Sequence, residues 1–341
     1  MPTNVGYTAT TGPALGLLFS RLSINCYTHM TRIAFLISQT DHVIDDNYRR
    51  FANELRDQGH EVWLGFMDSL SMAHSKVVAA LFPLQTPLLA GDPFPAAGLQ
   101  QLETFDTLWV LSLGLRRNFL DKYQLLYALE DKCRVINSLT AIMHFKSKYF
   151  LANHATVFQH PALFASTDPA ALFRHIQSNQ GQALEQRWIV KPPAGSLGRS
   201  VFLLRASDPN CQVILETLTG NDNDEYCLLQ PYVTEIEQGE KRVLIAGGVP
   251  VGQYLRRATK DHRTNRMQGA DISACDLTAD EQHYCETIGH FLLAQGVEFA
   301  GLDLAYPWVI EFNVLNPGGM LTIEQLDGTQ LCKAIIKQIF D

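Results

Sequence analysis

FAGLDLAYPWVIEFNVLNPGG, residues 299–319, sets two short apolar runs on either side of Tyr306 and Pro307, and each run carries an acid where an ordinary strand would carry an apolar or neutral residue. A turn centred on Pro307 predicts a β-hairpin with Asp303 directly opposite Glu311. Side chains alternate along a strand, so Asn313 joins the two acids on one face while Leu302, Leu304, Ile310, Phe312 and Val314 take the other. The apolar face predicts core, and the polar face predicts a site. Like charges facing each other across a ladder repel, so a half-buried acid pair calls for a compensating cation. Donors that are all oxygen suit a hard ion, Mg²⁺ or Mn²⁺. The bland alternative is a solvated hairpin edge whose acids meet only water, and the hairpin alone leaves both open.

The rest of the chain narrows the choice. It has 341 residues, 46% hydrophobic and 18% charged, enough for a core and for two or three subdomains. A net charge of −8 argues against a nucleic-acid binder or a membrane-surface protein, which need a basic face, while leaving room for a local basic pocket. The seven cysteines are scattered and show no C-x-x-C spacing, which predicts reduced thiols in a cytoplasmic protein rather than a disulfide framework or zinc site. No H-E-x-x-H and no Gly-x-Ser-x-Gly occurs, so zinc proteases and nucleophile-elbow hydrolases are not indicated. Residues 1–29 lack acids and have a short apolar centre, Ala14–Phe19, with no Lys or Arg before it. That makes a poor signal peptide and too short a membrane span, and a loose extension is the expectation.

Residues 30–145 predict a small open α/β subdomain. RIAFLISQ (32–39), HEVWLGF (60–66), TLWVLSLG (107–114) and CRVINS (133–138) supply its strands, and a helix from Asp45 places Tyr48, Phe51, Ala52 and Leu55 on one face. The first strand–helix turn, Ser38-Gln39-Thr40-Asp41, lacks the glycines of a dinucleotide fold. Residues 146–232 alternate strands around a helix near Pro169–Gln177, and residues 233–341 add KRVLIAGG, VPVGQYLRR and a helix opened by the capping box Thr278-x-x-Glu281.

Three further stretches carry chemistry. IVKPPAGSLGRSVFLL (189–204) sets Lys191 before a small-residue loop, Ala194–Gly198, whose backbone amides could approach phosphate; a strand follows, so this is not a Walker loop. YCLLQPYVTEIEQGEKRVLIAGG (226–248) predicts a strand edge at Gln230-Pro231-Tyr232-Val233 suited to a purine, with a glutamate beyond it suited to ribose hydroxyls. YLRRATKDHRTNRMQGAD (254–271) gathers Arg256, Arg257, Lys260, Arg263 and Arg266 in an otherwise acidic protein, as a solvated face or as cover for a carboxylate or phosphate.

In that order, Lys148, Lys191 with its loop, an adenine-edge strand, the arginines and an Asp…Glu-x-Asn hairpin, the chain resembles the ATP-grasp superfamily, and within it bacterial glutathione synthetases. The resemblance runs from Met30 to the C-terminus and is strongest in VILETLTG, KRVLIAGGVPV, FAGLDL and IEFNV. It implies an α/β ATP-grasp fold, an N-terminal α/β subdomain followed by two α+β subdomains that clasp ATP, and an ATP-dependent ligase working through an acyl phosphate. Lys148, Lys191, Gly195, Ser196 and Gly198 would hold phosphates, with Gln230, Tyr232 and Val233 at adenine and Glu240 near ribose. Asp303, Glu311 and Asn313 would bind two Mg²⁺ ions; Arg242, Arg257, Arg263 and Asn265 would face the transferred phosphate and the substrate carboxylate; Asn316, Gly318 and Gly319 would grip substrate. The expected substrates are γ-glutamyl-cysteine and glycine, and the expected assembly is a homo-oligomer, dimer or tetramer. LGLRRNFLDKYQ (113–124) and TNRMQGADISACD (264–276) depart from the family pattern, which leaves room for a ligase with another donor or acceptor, or for a silent ATP-binding module.

Overall fold

The structure, a computed structural model, describes residues 30–178, 186–193, 199–259, 261–264 and 269–341. The first elements are β1 (Arg32–Ile37), α1 (Asn47–Asp57), β2 (Glu61–Phe66), β3 (Ser71–Ala73), β4 (Lys76–Pro83), β5 (Gly98–Gln101), β6 (Thr107–Val110), α2 (Phe119–Tyr127) and β7 (Arg134–Ile136). Their sheet runs β3-β4-β2-β1-β6-β7, with β5 also paired to β4. β1, β2, β6 and β7 are parallel, as apolar runs separated by helical segments require. The antiparallel β3, β4 and β5 extend that sheet beyond the sequence expectation. Asp46, not Asp45, caps α1, its carboxylate accepting from the Asn47 amide, and Tyr48, Phe51, Ala52 and Leu55 are buried as their spacing demands.

Two short helices, α3 (Leu139–Phe145) and α4 (Lys148–Leu151), lead to β8 (Phe164–Ser166), α5 (Pro169–Ser178), β9 (Trp188–Lys191), β10 (Phe202–Leu204), α6 (Cys211–Thr219) and β11 (Cys227–Pro231). These strands form an antiparallel sheet ordered β10-β9-β11-β8. Leu172 and Ile176 of α5 and Leu215 of α6 close its apolar face against Trp188, Val190 and Leu229. β11 is therefore an interior strand, where the sequence had suggested an edge. Because β8 ends opposite Leu229, Gln230 and Pro231 still run past it with one side unpaired.

The last sheet holds β12 (Glu240–Ala246), β13 (Val249–Arg257) and β14 (Asp271–Ser273), then, after α7 (Ala279–Ala294), β15 (Phe299–Ala305) and β16 (Trp308–Asn313); α8 (Met320–Asp327) and α9 (Leu331–Phe340) follow. Its order is β14-β13-β12-β15-β16. Both hydrogen bonds of the Thr278–Glu281 capping box open α7. The hairpin pairs Asp303 with Glu311 and Gly301 with Asn313, as alternation required. A bulge after Asp303 then sets Leu304 opposite Val309. That extra residue reverses one expectation: Val309 enters the core, while Ile310 is half-buried and lines a cavity. No helix among the described residues is long and apolar enough to cross a membrane.

Candidate active site

The polar face of the five-stranded sheet is built by register. Arg256 lies opposite Glu240, Arg242 lies between Tyr254 and Asp303, and Asp303 faces Glu311. With a side-chain period of two, these residues come to one face as a lattice of alternating charge. Arg242 donates from Nε to Asp303 Oδ1 at 2.5 Å and from its two terminal nitrogens to Asp303 Oδ2 and the Gly318 carbonyl, each at 2.9 Å. Arg256 bridges Asp303 at 2.5 Å and Glu240 at 3.2 Å. Thr264 donates to Glu240, and Lys148 donates to Glu311 at 2.8 Å. Gly301 is a fitting neighbour for this packing, because a Cβ there would stand 3.3 Å from the Arg242 guanidinium and 2.9 Å from Pro317.

Burial works against charge throughout this face. It opposes ionisation of Asp303, yet Arg242 and Arg256 hold that carboxyl below its ordinary range. Glu240 goes the other way: burial pushes its carboxyl up, against the pull of Arg256 and with the push of Asp303. Burial and the nearby Lys148 bring the Lys191 ammonium down to about 8, and burial brings His160 down to about 4.

A cavity of about 510 Å³ opens between this face and β9 and β11, a size typical of small-molecule sites. Lys148, Lys191, Arg199, Arg242, Arg256 and Arg263 line it against the three acids Glu240, Asp303 and Glu311. The cavity thus carries a surplus of positive charge in a chain whose net charge is −8. Gln230 is buried at its wall with Oε1 unpartnered, a polar atom whose desolvation a bound donor would offset.

Most of the residues singled out from sequence converge here: Lys148, Lys191, Gln230, Tyr232, Val233, Glu240, Arg242, Arg263, Asp303, Glu311, Asn313, Asn316, Gly318 and Gly319 all line the cavity. Gly195, Ser196, Gly198 and Asn265 lie outside the described residues. Arg257 does not belong to the lining; it is exposed and donates to the Gln238 carbonyl at 3.2 Å. Strand alternation gives the inward position to Arg256 instead. Several of these residues already have partners within the chain. The Tyr232 amide is already bonded to the Arg187 carbonyl at 2.9 Å, and its ring lies under the Arg187 guanidinium. Glu240 is enclosed by Arg256 and Thr264 rather than open to a ribose. Asn316 is tied to the start of α1, donating to Asp46 and accepting from Asn47, each at 2.8 Å. Arg199, Tyr254 and Thr322 also line the cavity without having been singled out, and Arg256, named from sequence only within the basic run, is the member that strand alternation turns inward.

A divalent ion can be tested against these donors. Among the described residues no group of three or more His, Cys, Asp or Glu could hold a metal ion. Asp303, expected as a ligand, is taken up by two arginines. Among the described residues Glu311 has Lys148 as its one ion-pair partner, and the Asn313 amide nitrogen reaches Asp303 at 3.4 Å. One carboxylate and one carboxamide, completed by ligand phosphate oxygens and water, suit Mg²⁺.

Comparison with known proteins agrees with this geometry. Residues 156–328, just over half of the chain, match the family model described as prokaryotic glutathione synthetase, ATP-grasp domain. The chain belongs to that family. Glutathione synthetase of Thermosynechococcus vestitus is 27% identical over 83% of this chain and 90% of its own length, and that of Agrobacterium fabrum 25% identical over 90% and 96%. Among solved structures, the D-cycloserine synthetase DcsG superposes with a TM-score of 0.62 at 14% identity, covering 90% of this chain and 99% of that one. The RimK domain protein ATP-grasp from Sphaerobacter thermophilus gives 0.61 at 16% identity, over 91% and 100%. The fold is ATP-grasp, and the protein is an ATP-dependent carbon–nitrogen ligase of the glutathione synthetase kind, acting on small molecules.

Proposed function

We propose that this ligase joins the carboxylate of a γ-glutamyl-cysteine-like donor to the amine of glycine, with conversion of ATP to ADP and phosphate. The observation that carries the ATP part of the reading is the cavity itself: six cationic side chains against three acids, with the unpartnered oxygen of Gln230 at one wall. A nucleotide triphosphate supplies the missing anions, and an adenine amino group supplies the missing donor. Lys148 and Lys191, both buried, and Arg199 at the exposed rim are the groups offered to phosphate, while Arg263 lines the cavity paired with Asp261 at 2.6 Å. Glu311 and Asn313 would hold Mg²⁺, which when bound neutralises phosphate charge.

In this scheme a donor carboxylate oxygen bonds to the γ-phosphorus as the bond to ADP breaks. The amine then attacks the acyl carbon, phosphate leaves, and the amine gives up a proton. No side-chain nucleophile is needed. A second reading, a ligase with another donor or acceptor, is favoured by one observation: Asn316, expected to grip substrate, is bound to Asp46 and Asn47. ADP release by the purified protein over a matrix of γ-glutamyl dipeptides and amino acids, with product mass measured, separates the two. The expected result is turnover with γ-glutamyl-cysteine and glycine; turnover only with another pair would replace that assignment and leave the ligase reading standing.

A further inference from the structure

Asp303 has no oxygen left over for a metal ion. Its Oδ1 accepts from Arg242 Nε and from Arg256, each at 2.5 Å, and its Oδ2 accepts from Arg242 at 2.9 Å and from Asn313 Nδ2 at 3.4 Å. A carboxylate offers about four lone-pair sites, and all of them are engaged. Arginine stays protonated in proteins, so the two counter-ions are permanent. The group is also enclosed: Asp303 is 6% exposed, Arg256 4% and Glu240 3%. Glu311 is a different kind of acid, with a single lysine contact and a side chain 36% exposed.

Arg256 is what makes Asp303 and Glu240 compatible. Its place follows from the register that sets it opposite Glu240, its terminal nitrogen bridges both carboxylates, and its Nε is buried without a partner on the cavity wall. Without it, among the described residues Asp303 would keep Arg242 as its one guanidinium partner and Glu240 would keep only the Thr264 hydroxyl. Carboxylate oxygens would then be freed beside Asn313, and such oxygens are what a hard divalent ion seeks.

We propose that Arg256 is a resident cation that stands where a second divalent ion would otherwise bind, so that this site takes one divalent ion per bound nucleotide, at Glu311 and Asn313. The proposal rests on the nucleotide-binding reading of the cavity. It replaces the two-ion arrangement that the family resemblance implied, because Asp303 is committed to arginine.

The test counts ions. The full-length protein is saturated with a non-hydrolysable ATP analogue and titrated with Mn²⁺, with free Mn²⁺ followed by electron paramagnetic resonance and bound analogue measured in parallel. The parent should bind one Mn²⁺ per analogue, and Arg256→Ala should bind two. Asp303→Asn, which keeps the parent's shape and serves where Arg256→Ala fails to fold, should still bind one. Two ions per analogue in the parent, a count of one in a folded Arg256→Ala, or loss of an ion in Asp303→Asn would each overturn the proposal. A parent that binds no analogue at all would instead overturn the nucleotide reading, and the inference with it.

Discussion

Lys191 shows at the scale of one residue how this site stores instability for use in binding. Its amine sits near 8 in the folded chain against about 10.4 for a free lysine. The unfolded state therefore holds more protons between those values, and this group's contribution to stability improves as pH rises through that window. Below pH 8 the full cost stands, about 3 kcal/mol. A phosphate at the lysine would restore the charged form and its proton. Calorimetry at pH 8 in buffers of differing ionisation enthalpy should then register uptake of about half a proton on binding an ATP analogue. Lys191→Met should bind the analogue more weakly, melt a few degrees higher without nucleotide at pH 7, and show no such uptake. A variant that melts lower at pH 7 and keeps the uptake would mean that Lys191 is not the strained group.

At the scale of elements, the β15–β16 hairpin could be read from sequence because its determinants are local: alternation of period two and a proline at the turn. The Asp303–Glu311 pairing followed directly. What that stretch could not reveal was its compensating charge, because Arg242 and Arg256 reach Asp303 only through the sheet order β13-β12-β15 and its register. The choice of Arg257 over Arg256 failed for the same reason, since an Arg-Arg pair has one member on each face and only the register says which. Ile310 was misplaced by a bulge that leaves no mark in the residue pattern. The junction of α7 with the β12–β13 turn is another contact invisible along the chain. A Cβ on Gly289 would stand 2.1 Å from the Gly248 carbonyl oxygen, which is backbone and cannot rotate aside. Gly289→Ala should gain about 1 kcal/mol of helix propensity and still lose stability by about 1–3 kcal/mol overall. Urea unfolding would register this as a lower midpoint at unchanged slope, and an unaltered midpoint would show that α7 can move away without cost.

A cationic cavity whose walls come from two sheets lies in a chain of net charge −8, so a ligand there should stabilise both sheets together. A ligand at a hundred times its dissociation constant adds about 2.7 kcal/mol, and any metal-dependent part of that gain must pass through the carboxylate that can still ligate. Glu311 is that group, half-exposed and, among the described residues, held by Lys148, whereas Asp303 is enclosed by arginines. Glu311→Gln keeps the size and the Lys148 contact while removing the anion. Without ligands the variant should melt slightly below the parent, since buried Lys148 keeps an acceptor but loses its counter-charge. With an ATP analogue alone both proteins should gain. With Mg²⁺ added, the parent should rise by several degrees more while the variant does not, and ligation by the variant should fall at least about a hundredfold. A solvated acid that meets only water predicts no difference in either measurement. Equal Mg²⁺-dependent melting shifts and normal ligation in Glu311→Gln would remove the metal from this hairpin, and leave its cationic cavity to bind nucleotide through lysine and arginine alone.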